Sequence, residues 1–273
     1  MGKRSDGYHL LDTLMLPVSL YDELEIERPR AAGAKSAPKD RLTVVCDHPL
    51  VPSGKKNLAY QAASLILKEA GLNEAVCIRI HKRIPVGAGL GGGSTDAAAT
   101  LLGLNQLFHL GYTPKRLEKL SAALGADVPF FIRGVPARAR GIGERLTLLH
   151  NVPQLWLVIL YPGFPVSSRW AYSNWRAKLT KPIVNTSINL LLRNPEIFKS
   201  LLINDLEAVT IGRYPRIGLL KGQLIENAAV GALMSGSGSA VFGIFKSRRN
   251  AEQAFRRLRK AEGVETFLAR VLS

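Results

Sequence analysis

The sequence is poor in cysteine and has no long apolar stretch. Two cysteines, Cys46 and Cys77, occur among 273 residues, which excludes a disulfide-rich secreted scaffold and favours two reduced thiols over one disulfide. No apolar run reaches the roughly 20 residues that a membrane-spanning helix requires. The first residues, MGKRSDGYHLL, lack the apolar core of a signal peptide. We therefore expect a cytoplasmic protein with no membrane partner.

Acidic residues are also scarce relative to basic ones. Lys and Arg number 37 against 21 Asp and Glu, so the formal net charge is +16, and such a positive field attracts anions, including nucleic acid. Much of the excess lies in KSRRNAEQAFRRLRKAEG, where helical spacing places Ala251, Ala254, Phe255 and Leu258 on one apolar stripe. Nothing in the sequence resembles a zinc finger or an RNA-recognition signature. The basic residues are most simply interpreted as a solvated helix face, and a small anionic substrate would use the same positive field.

Glycine, in contrast, is concentrated in one stretch, PVGAGLGGGSTDAAA. It places five glycines in the seven positions from Gly87 to Gly93. Glycine loses more backbone freedom on folding than any other residue, and a tight turn needs one or two, so this run indicates a use for bare backbone. The stretch lies between a predicted strand, AVCIRIHKRI, and a predicted helix from about Ser94 to His109. Unpaired amides and the helix dipole favour an anion at such a junction.

Two familiar phosphate-binding motifs do not fit this loop. Gly87 to Gly92 satisfies G-x-G-x-x-G, but a dinucleotide fold needs a strand ending in Asp or Glu about 20 residues later. Here residues 112–118 begin another predicted helix. In the P-loop pattern a lysine follows the second glycine, whereas Gly93 occupies that position. The loop therefore indicates a third kind of phosphate site.

The remaining pattern alternates strands with helices in two halves. ELEIE (23–27) and RLTVVC (41–46) alternate as strands, and NLAYQAASLILKEAG reads as a helix capped by Asn57. A domain boundary is expected around Asn151-Val152-Pro153, which gives domains over 1–148 and 149–273. In the second half, LWLVILYP predicts a strand, residues 188–203 a helix, and GALMSGSGSAVFGIF two strands around a second glycine-rich bend.

Three motifs in order resemble those of the GHMP kinases, in which the backbone of such a loop wraps the phosphates of ATP. LGADVPFF (124–131) is similar to the family segment whose aspartate faces the substrate hydroxyl. MSGSGSAVF (234–242) is similar to the C-terminal glycine motif on the substrate side. The resemblance implies an α+β fold in two lobes, the N-terminal lobe ribosomal S5 domain 2-like and the C-terminal lobe ferredoxin-like. Nucleotide and substrate would meet in the cleft between the lobes.

Further stretches resemble one branch of this family: RSDGYHLLDTL, NLAYQAA, ARARGIGERL and NDLE. That branch uses ATP and Mg²⁺ to phosphorylate the tertiary 2-hydroxyl of a cytidine-diphosphate-linked methylerythritol in the non-mevalonate isoprenoid pathway. The resemblance covers nearly the whole chain and is weakest over about 165–200. We expect a monomer or weak homodimer.

The resemblance and the residue chemistry together imply site roles. Asp127 would accept or orient the proton of the attacking hydroxyl. Tyr8 and His9 match a pair that receives the cytosine ring, and Tyr172 is a candidate second stacking ring. The main chain that would cradle the triphosphate comprises Pro85, Val86, Gly87, Ala88, Gly89, Leu90, Gly91, Gly92, Gly93, Ser94 and Thr95.

Several nucleotide-side residues have a structural alternative. Asn57 and Leu58 match a segment near the adenine, and Asn57 is equally a helix cap. The hydroxyls of Ser94 and Thr95 could bind phosphate or Mg²⁺, or could cap the helix. Lys82 could supply the positive charge that the loop lacks, or could be a solvated lysine.

One departure from the family concerns its first strand. Members carry Pro-Ala-Lys-x-Asn-Leu there, with the lysine beside the catalytic aspartate, whereas this sequence begins at Met1-Gly2-Lys3, within the turn before Tyr8. A late start and a natural variant both explain this, and either predicts weak turnover. Two other functions stay open, an inactive nucleotide-binding relative and a nucleic-acid-binding module. A salt-dependent gel shift would identify the latter.

Overall fold

A computed structural model describes residues 10–29, 41–175 and 202–272. Its strands are β1 (Leu11–Met15), β2 (Glu23–Glu27), β3 (Leu42–Cys46), β4 (Val76–His81), β5 (Ala137–Gly141), β6 (Arg145–Leu148), β7 (Trp156–Tyr161), β8 (Gly231–Met234), β9 (Val241–Phe245) and β10 (Glu265–Arg270). Its helices, numbered over the described residues, are α1 (Leu58–Glu69), α2 (Gly92–Leu107), α3 (Pro114–Ser121), α4 (Val128–Arg133), α5 (Ser168–Asn174), α6 (Glu207–Arg213), α7 (Pro215–Glu226) and α8 (Arg248–Leu258).

Backbone contacts divide the chain into two compact units. The first unit comprises residues 21–86 and 91–134, and the second comprises the residues up to Leu20, residues 87–90 and the chain from Val135 onward. Strand β1 belongs to the second unit because it pairs with β5. The domain boundary between residues 148 and 149 stays a prediction.

The first unit is a three-stranded sheet covered by helices. Its strand order is β2-β4-β3, with β2 antiparallel and β3 parallel to the central strand. The strand predicted at AVCIRIHKRI is confirmed as β4, in which the alternate residues Val76, Ile78 and Ile80 are all buried in the core with the apolar faces of α1 and α2. Thr113 caps α3 through a hydrogen bond from the Arg116 amide, and Pro114 follows it as the first helical residue, within the stretch 112–118 where a helix is predicted to begin.

The second unit contains a four-stranded antiparallel sheet in the order β10-β7-β9-β8. A strand, helices, two strands, a helix and a strand with this order form the ferredoxin-like pattern expected for the C-terminal half. Helix α8 buries Ala251, Ala254 and Leu258 against this sheet, as the apolar stripe predicts. A smaller antiparallel sheet, β1-β5-β6, completes the unit.

The predictions about cysteine and membrane spans can be compared with this fold. Cys46 and Cys77 are partly buried, free thiols, as expected. Among the described helices, none combines the length and the apolar character needed to cross a bilayer. The helix predicted over 188–203 lies almost entirely outside the described residues.

Candidate active site

The glycine-rich loop leaves the start of α2 without a cap. Gly87, Gly89 and Gly91 have φ values of +67°, +77° and +73°, a conformation that other residues rarely adopt. Gly91 precedes the helix and, having no side chain, provides no capping hydrogen bond. A Cβ on Gly91 would lie 2.6 Å from Cζ of Phe131, so that position accepts glycine alone without rearrangement. The first amides of a 16-residue helix are therefore left for an anion.

Residues 87–90 of the loop belong to the second unit and are held within it through their carbonyl groups. The amides of Val166 and Ala240 donate to the carbonyls of Gly87 and Ala88 at 2.9 and 3.0 Å. The Ser235 hydroxyl donates to the Gly89 carbonyl at 2.9 Å. Because Ser235 and Ala240 flank the second glycine-rich bend, that bend fixes the conformation of loop residues 87–90.

The bend itself depends on two side chains to which the sequence assigned no role. Asn204 donates from Nδ2 to the carbonyls of Met234 and Gly236, at 2.8 and 2.7 Å. Glu207 accepts the Met234 amide at 2.8 Å and pairs with Lys221 at 2.6 Å. Both residues belong to the NDLE motif. Polar residues just before a helix were the feature of the sequence that could have indicated their role.

Lys82 is buried between two carboxylates and is not a solvated lysine. Its side chain is 3% exposed, and its Nζ contacts Asp22 and lies 3.0 Å from Oδ2 of Asp96. Burial alone would lower the pKa of Lys82, but the two carboxylates outweigh burial and raise that pKa. Because both partners already neutralise it, Lys82 does not present an unpaired charge to the loop. The solvated alternative is therefore wrong, and a contribution of Lys82 to nucleotide binding stays a prediction.

Sequence analysis missed both partners of Lys82. Asp96 follows Thr95 in an otherwise small and apolar helical face, and a buried carboxylate at that position needs a cation. Burial raises the pKa of Asp96 to about 7, although Lys82 opposes the shift. Asp22 lies just before β2. It is 60 residues away from Lys82 along the chain, and nothing in the sequence indicates that the two side chains are in contact.

Asp127 offers a carboxylate with no capping hydrogen bond. It precedes the first residue of α4, yet its side chain makes no bond to the helix amides. Solvent reaches the side chain, while the surrounding protein atoms desolvate the carboxylate and raise its pKa above the ordinary value. Such a group can accept a proton from a bound hydroxyl.

The other predicted residues have mixed outcomes. Asn57 is the α1 cap, accepting the Ala59 amide at 2.8 Å and donating to the Pro52 carbonyl at 2.9 Å. Leu58 lies beside the loop, 3.4 Å from the position of a Cβ on Gly93. Tyr172 is partly buried against the core of the second unit, and its stacking role stays a prediction. Tyr8 and His9 lie outside the described residues.

Comparison with known proteins identifies related chains across the whole sequence. The N-terminal domain of GHMP kinases matches residues 57–135, and the C-terminal domain of GHMP kinases matches residues 179–264. A protein from Citrifermentans bemidjiense named 4-diphosphocytidyl-2-C-methyl-D-erythritol kinase is 46% identical over 96% of this chain and 90% of its own length. A protein of the same name from Acetivibrio thermocellus is 40% identical, with the same coverage.

Solved structures extend the similarity to the fold. A crystal structure of 4-(cytidine 5'-diphospho)-2C-methyl-D-erythritol kinase has a TM-score of 0.81 and 36% identity over 99% of this chain and 93% of its own. Mevalonate kinase from Methanococcus jannaschii, with a TM-score of 0.73 at 12% identity over 99% of this chain and 100% of its own, shares the fold. From the two matched domains and relatives aligned over 90% of their length, we conclude that the chain belongs to the GHMP kinase family, in the group of 4-diphosphocytidyl-2-C-methyl-D-erythritol kinases.

Proposed function

We propose that this chain transfers the γ-phosphoryl group of ATP to the 2-hydroxyl of 4-diphosphocytidyl-2-C-methyl-D-erythritol. The observation that carries the proposal is the uncapped start of α2 within a run of left-handed glycines, which suits the phosphates of a nucleotide. The substrate comes from the relatives, which are named for it and align with nearly all of the chain.

The loop would bind the triphosphate through backbone amides. Amides at a helix start are fixed donors that need no rearrangement when negative charge develops on the γ-phosphoryl group. Thr95 already donates its hydroxyl proton to the Gly91 carbonyl at 3.0 Å, which leaves its oxygen able to accept or to ligate. Within the described residues the Ser94 hydroxyl makes no hydrogen bond, so Ser94 is the better candidate for a phosphate or metal contact.

A magnesium ion fits this loop without an acidic cluster. Within residues 10–29, 41–175 and 202–272, no group of three or more acidic, histidine or cysteine side chains could hold a metal. Mg²⁺ in kinases commonly keeps several waters and is held by one or two protein groups together with phosphate oxygens. Ser94 and Thr95 would hold it here, and when bound it neutralises charge on the phosphates.

Asp127 would act on the acceptor. As the oxygen of the 2-hydroxyl forms its bond to the γ-phosphorus, the bond to the bridging oxygen breaks and ADP leaves. The proton of the hydroxyl passes to the Asp127 carboxylate. A raised pKa makes this carboxylate a stronger base than an ordinary aspartate, which favours that transfer.

The proposal is tested by offering the purified chain three acceptors with ATP and Mg²⁺. We expect ADP release with 4-diphosphocytidyl-2-C-methyl-D-erythritol and none above background with mevalonate or homoserine, the substrates after which the more distant structural neighbours are named. Equal turnover of mevalonate would contradict the substrate assignment. ATP binding without turnover of any acceptor would favour an inactive nucleotide-binding relative.

Cytoplasmic location and a monomer or weak dimer remain part of the proposal.

A further inference from the structure

Asp22 connects the end of β4 to the start of α2. Its Oδ1 accepts two backbone amides, from Arg83 at 2.7 Å and from Ile84 at 2.9 Å. Its Oδ2 accepts from Nζ of Lys82. One side chain therefore holds three consecutive residues, 82–84, immediately before the glycine-rich loop.

Lys82 carries this constraint to the far end of the loop. Its Nζ donates to Oδ2 of Asp96 at 3.0 Å, in the first turns of α2. The same nitrogen lies 3.0 Å from the position that a Cβ on Gly92 would take. The ammonium group therefore packs directly beneath the backbone whose amides are available to phosphate.

This network is costly as a device for stability. The side chains of Lys82, Asp22 and Asp96 are 3%, 1% and 5% exposed, so two carboxyl groups and one ammonium group are buried together. Oδ1 of Asp96 is buried with no hydrogen-bond partner. Apolar residues of similar volume commonly stabilise a fold as well as or better than a buried ion pair. What the charges provide here is a fixed position for two chain segments on either side of the loop.

We propose that Asp22 is a positioning residue for ATP: by holding residues 82–84 and, through Lys82, the start of α2, it fixes the amide geometry that binds phosphate. The proposal rests on the proposed function of the loop. Asp22 acts through Lys82 and the backbone and is not assigned a contact with the nucleotide.

The test compares Asp22→Asn with Asp47→Asn. Asparagine keeps the size of Asp22 but removes the charge that holds Lys82. Asp47 is a matched control because it also accepts a backbone amide at this strand end, that of Lys82 at 2.9 Å, yet its side chain is exposed and pairs with His81. The dissociation constant for ATP is measured by calorimetry. The kcat and the KM values for ATP and for the acceptor are measured with the other substrate at saturation.

We expect Asp22→Asn to weaken ATP binding about 10- to 100-fold, the scale on which small misplacements of a binding group act. The KM for the acceptor and the kcat at saturating ATP should change far less, and Asp47→Asn should bind ATP like the unaltered chain. A merely structural role would instead lower the active fraction, and so the apparent kcat, with an unchanged dissociation constant. That result would overturn the proposal.

If Asp22→Asn does not fold, Asp22→Glu replaces it. Glutamate keeps the charge for Lys82 but displaces it by one methylene, so we expect a folded chain with weaker ATP binding. Unaltered affinity in that variant overturns the proposal. If the unaltered chain itself does not bind ATP, the proposed function is refuted. If the unaltered chain and the variant bind ATP equally well, only the role of Asp22 is refuted.

Discussion

Desolvation raises the pKa values of both the Asp127 and the Asp96 carboxyl groups, but their surroundings differ. Lys82 opposes the rise in the pKa of Asp96, whereas desolvation raises the pKa of Asp127. Asp96 is enclosed and paired through one oxygen, while solvent reaches Asp127. Asp127 therefore suits proton exchange with a ligand, and Asp96 suits a fixed internal position.

Replacing Asp127 by asparagine removes the proton acceptor without changing size. We expect kcat to fall about 10²- to 10⁴-fold, the usual contribution of a general base, while the dissociation constant for ATP stays the same. In the unaltered chain kcat should fall as pH is lowered through the raised pKa of Asp127, because protonation removes the acceptor. The pH at which kcat has fallen by half should lie above the ordinary aspartate pKa of about 3.9. Steady-state rates across pH and calorimetry measure both effects, and a kcat within a few-fold of the parent would reassign Asp127 as structural.

Asp96 should make folding stability depend on pH. Its pKa of about 7 in the folded chain exceeds the unfolded value of about 3.9, so the folded state binds more protons between these values. The free energy of unfolding should therefore decrease as pH rises from about 4 to about 7, and this decrease should be smaller in Asp96→Asn. Urea unfolding of both chains across that range measures it. If the free energy of unfolding depends on pH in the same way in the unaltered chain and in Asp96→Asn, Asp96 does not titrate as described.

At the scale of elements, α2 begins at Gly92 rather than near the predicted Ser94. The left-handed Gly91 ends the loop, after which two glycines enter helical geometry, and no propensity rule anticipates a helix that starts with glycines. The consequence concerns which glycine can be altered cleanly. A Cβ on Gly92 would meet Lys82 and Ile84 at 3.0 and 3.1 Å, whereas a Cβ on Gly93 meets Leu58 at an ordinary 3.4 Å.

Gly93→Val should abolish ATP binding and leave the fold intact. The valine side chain would occupy the approach to the first amides of α2, while its Cβ meets no protein atom closely. Gly222→Val is the matched control, because Gly222 lies within α7 and a Cβ there has no neighbour within 4 Å. Calorimetry measures ATP binding and circular dichroism the fold. ATP affinity unchanged in a folded Gly93→Val chain would make the loop purely structural.

Asn204→Ala should destabilise the bend that holds the loop. The substitution removes the Asn204 amide that donates to the carbonyls of Met234 and Gly236. Where water does not replace that donor, the free energy of unfolding should fall by about 1–3 kcal/mol. Asn227→Ala is the control, since that side chain donates to the Gln223 carbonyl near its own helix end. Urea denaturation of both variants measures the difference. Equal effects would mean that Asn204 does not support the bend.

Sequence patterns predicted local elements well and distant contacts poorly. The alternation of Val76, Ile78 and Ile80 and the stripe on α8 are set by neighbours along the chain, so periodicity suffices. The glycine loop was identified because its composition is itself unusual. Asp22 was missed because its contacts cross 60 residues to Lys82, and nothing local distinguishes it from a surface aspartate.

At the scale of the whole molecule, the net charge of +16 agrees with anionic substrates. ATP and a cytidine-diphosphate acceptor are both negatively charged, and a positive protein field raises the rate at which such molecules associate. The same charge prompted the nucleic-acid alternative, which the relationship to kinases does not favour.

The central claim is that the chain moves a phosphoryl group from ATP to one hydroxyl. The most direct measurement incubates the chain with ATP, Mg²⁺ and 4-diphosphocytidyl-2-C-methyl-D-erythritol and follows the products by mass spectrometry and ³¹P NMR. We predict that the acceptor gains one phosphoryl group on its 2-hydroxyl for every ADP formed, and that no ADP forms when the acceptor is omitted. ADP that accumulates without a phosphorylated acceptor, or a phosphoryl group on another oxygen, would contradict the account.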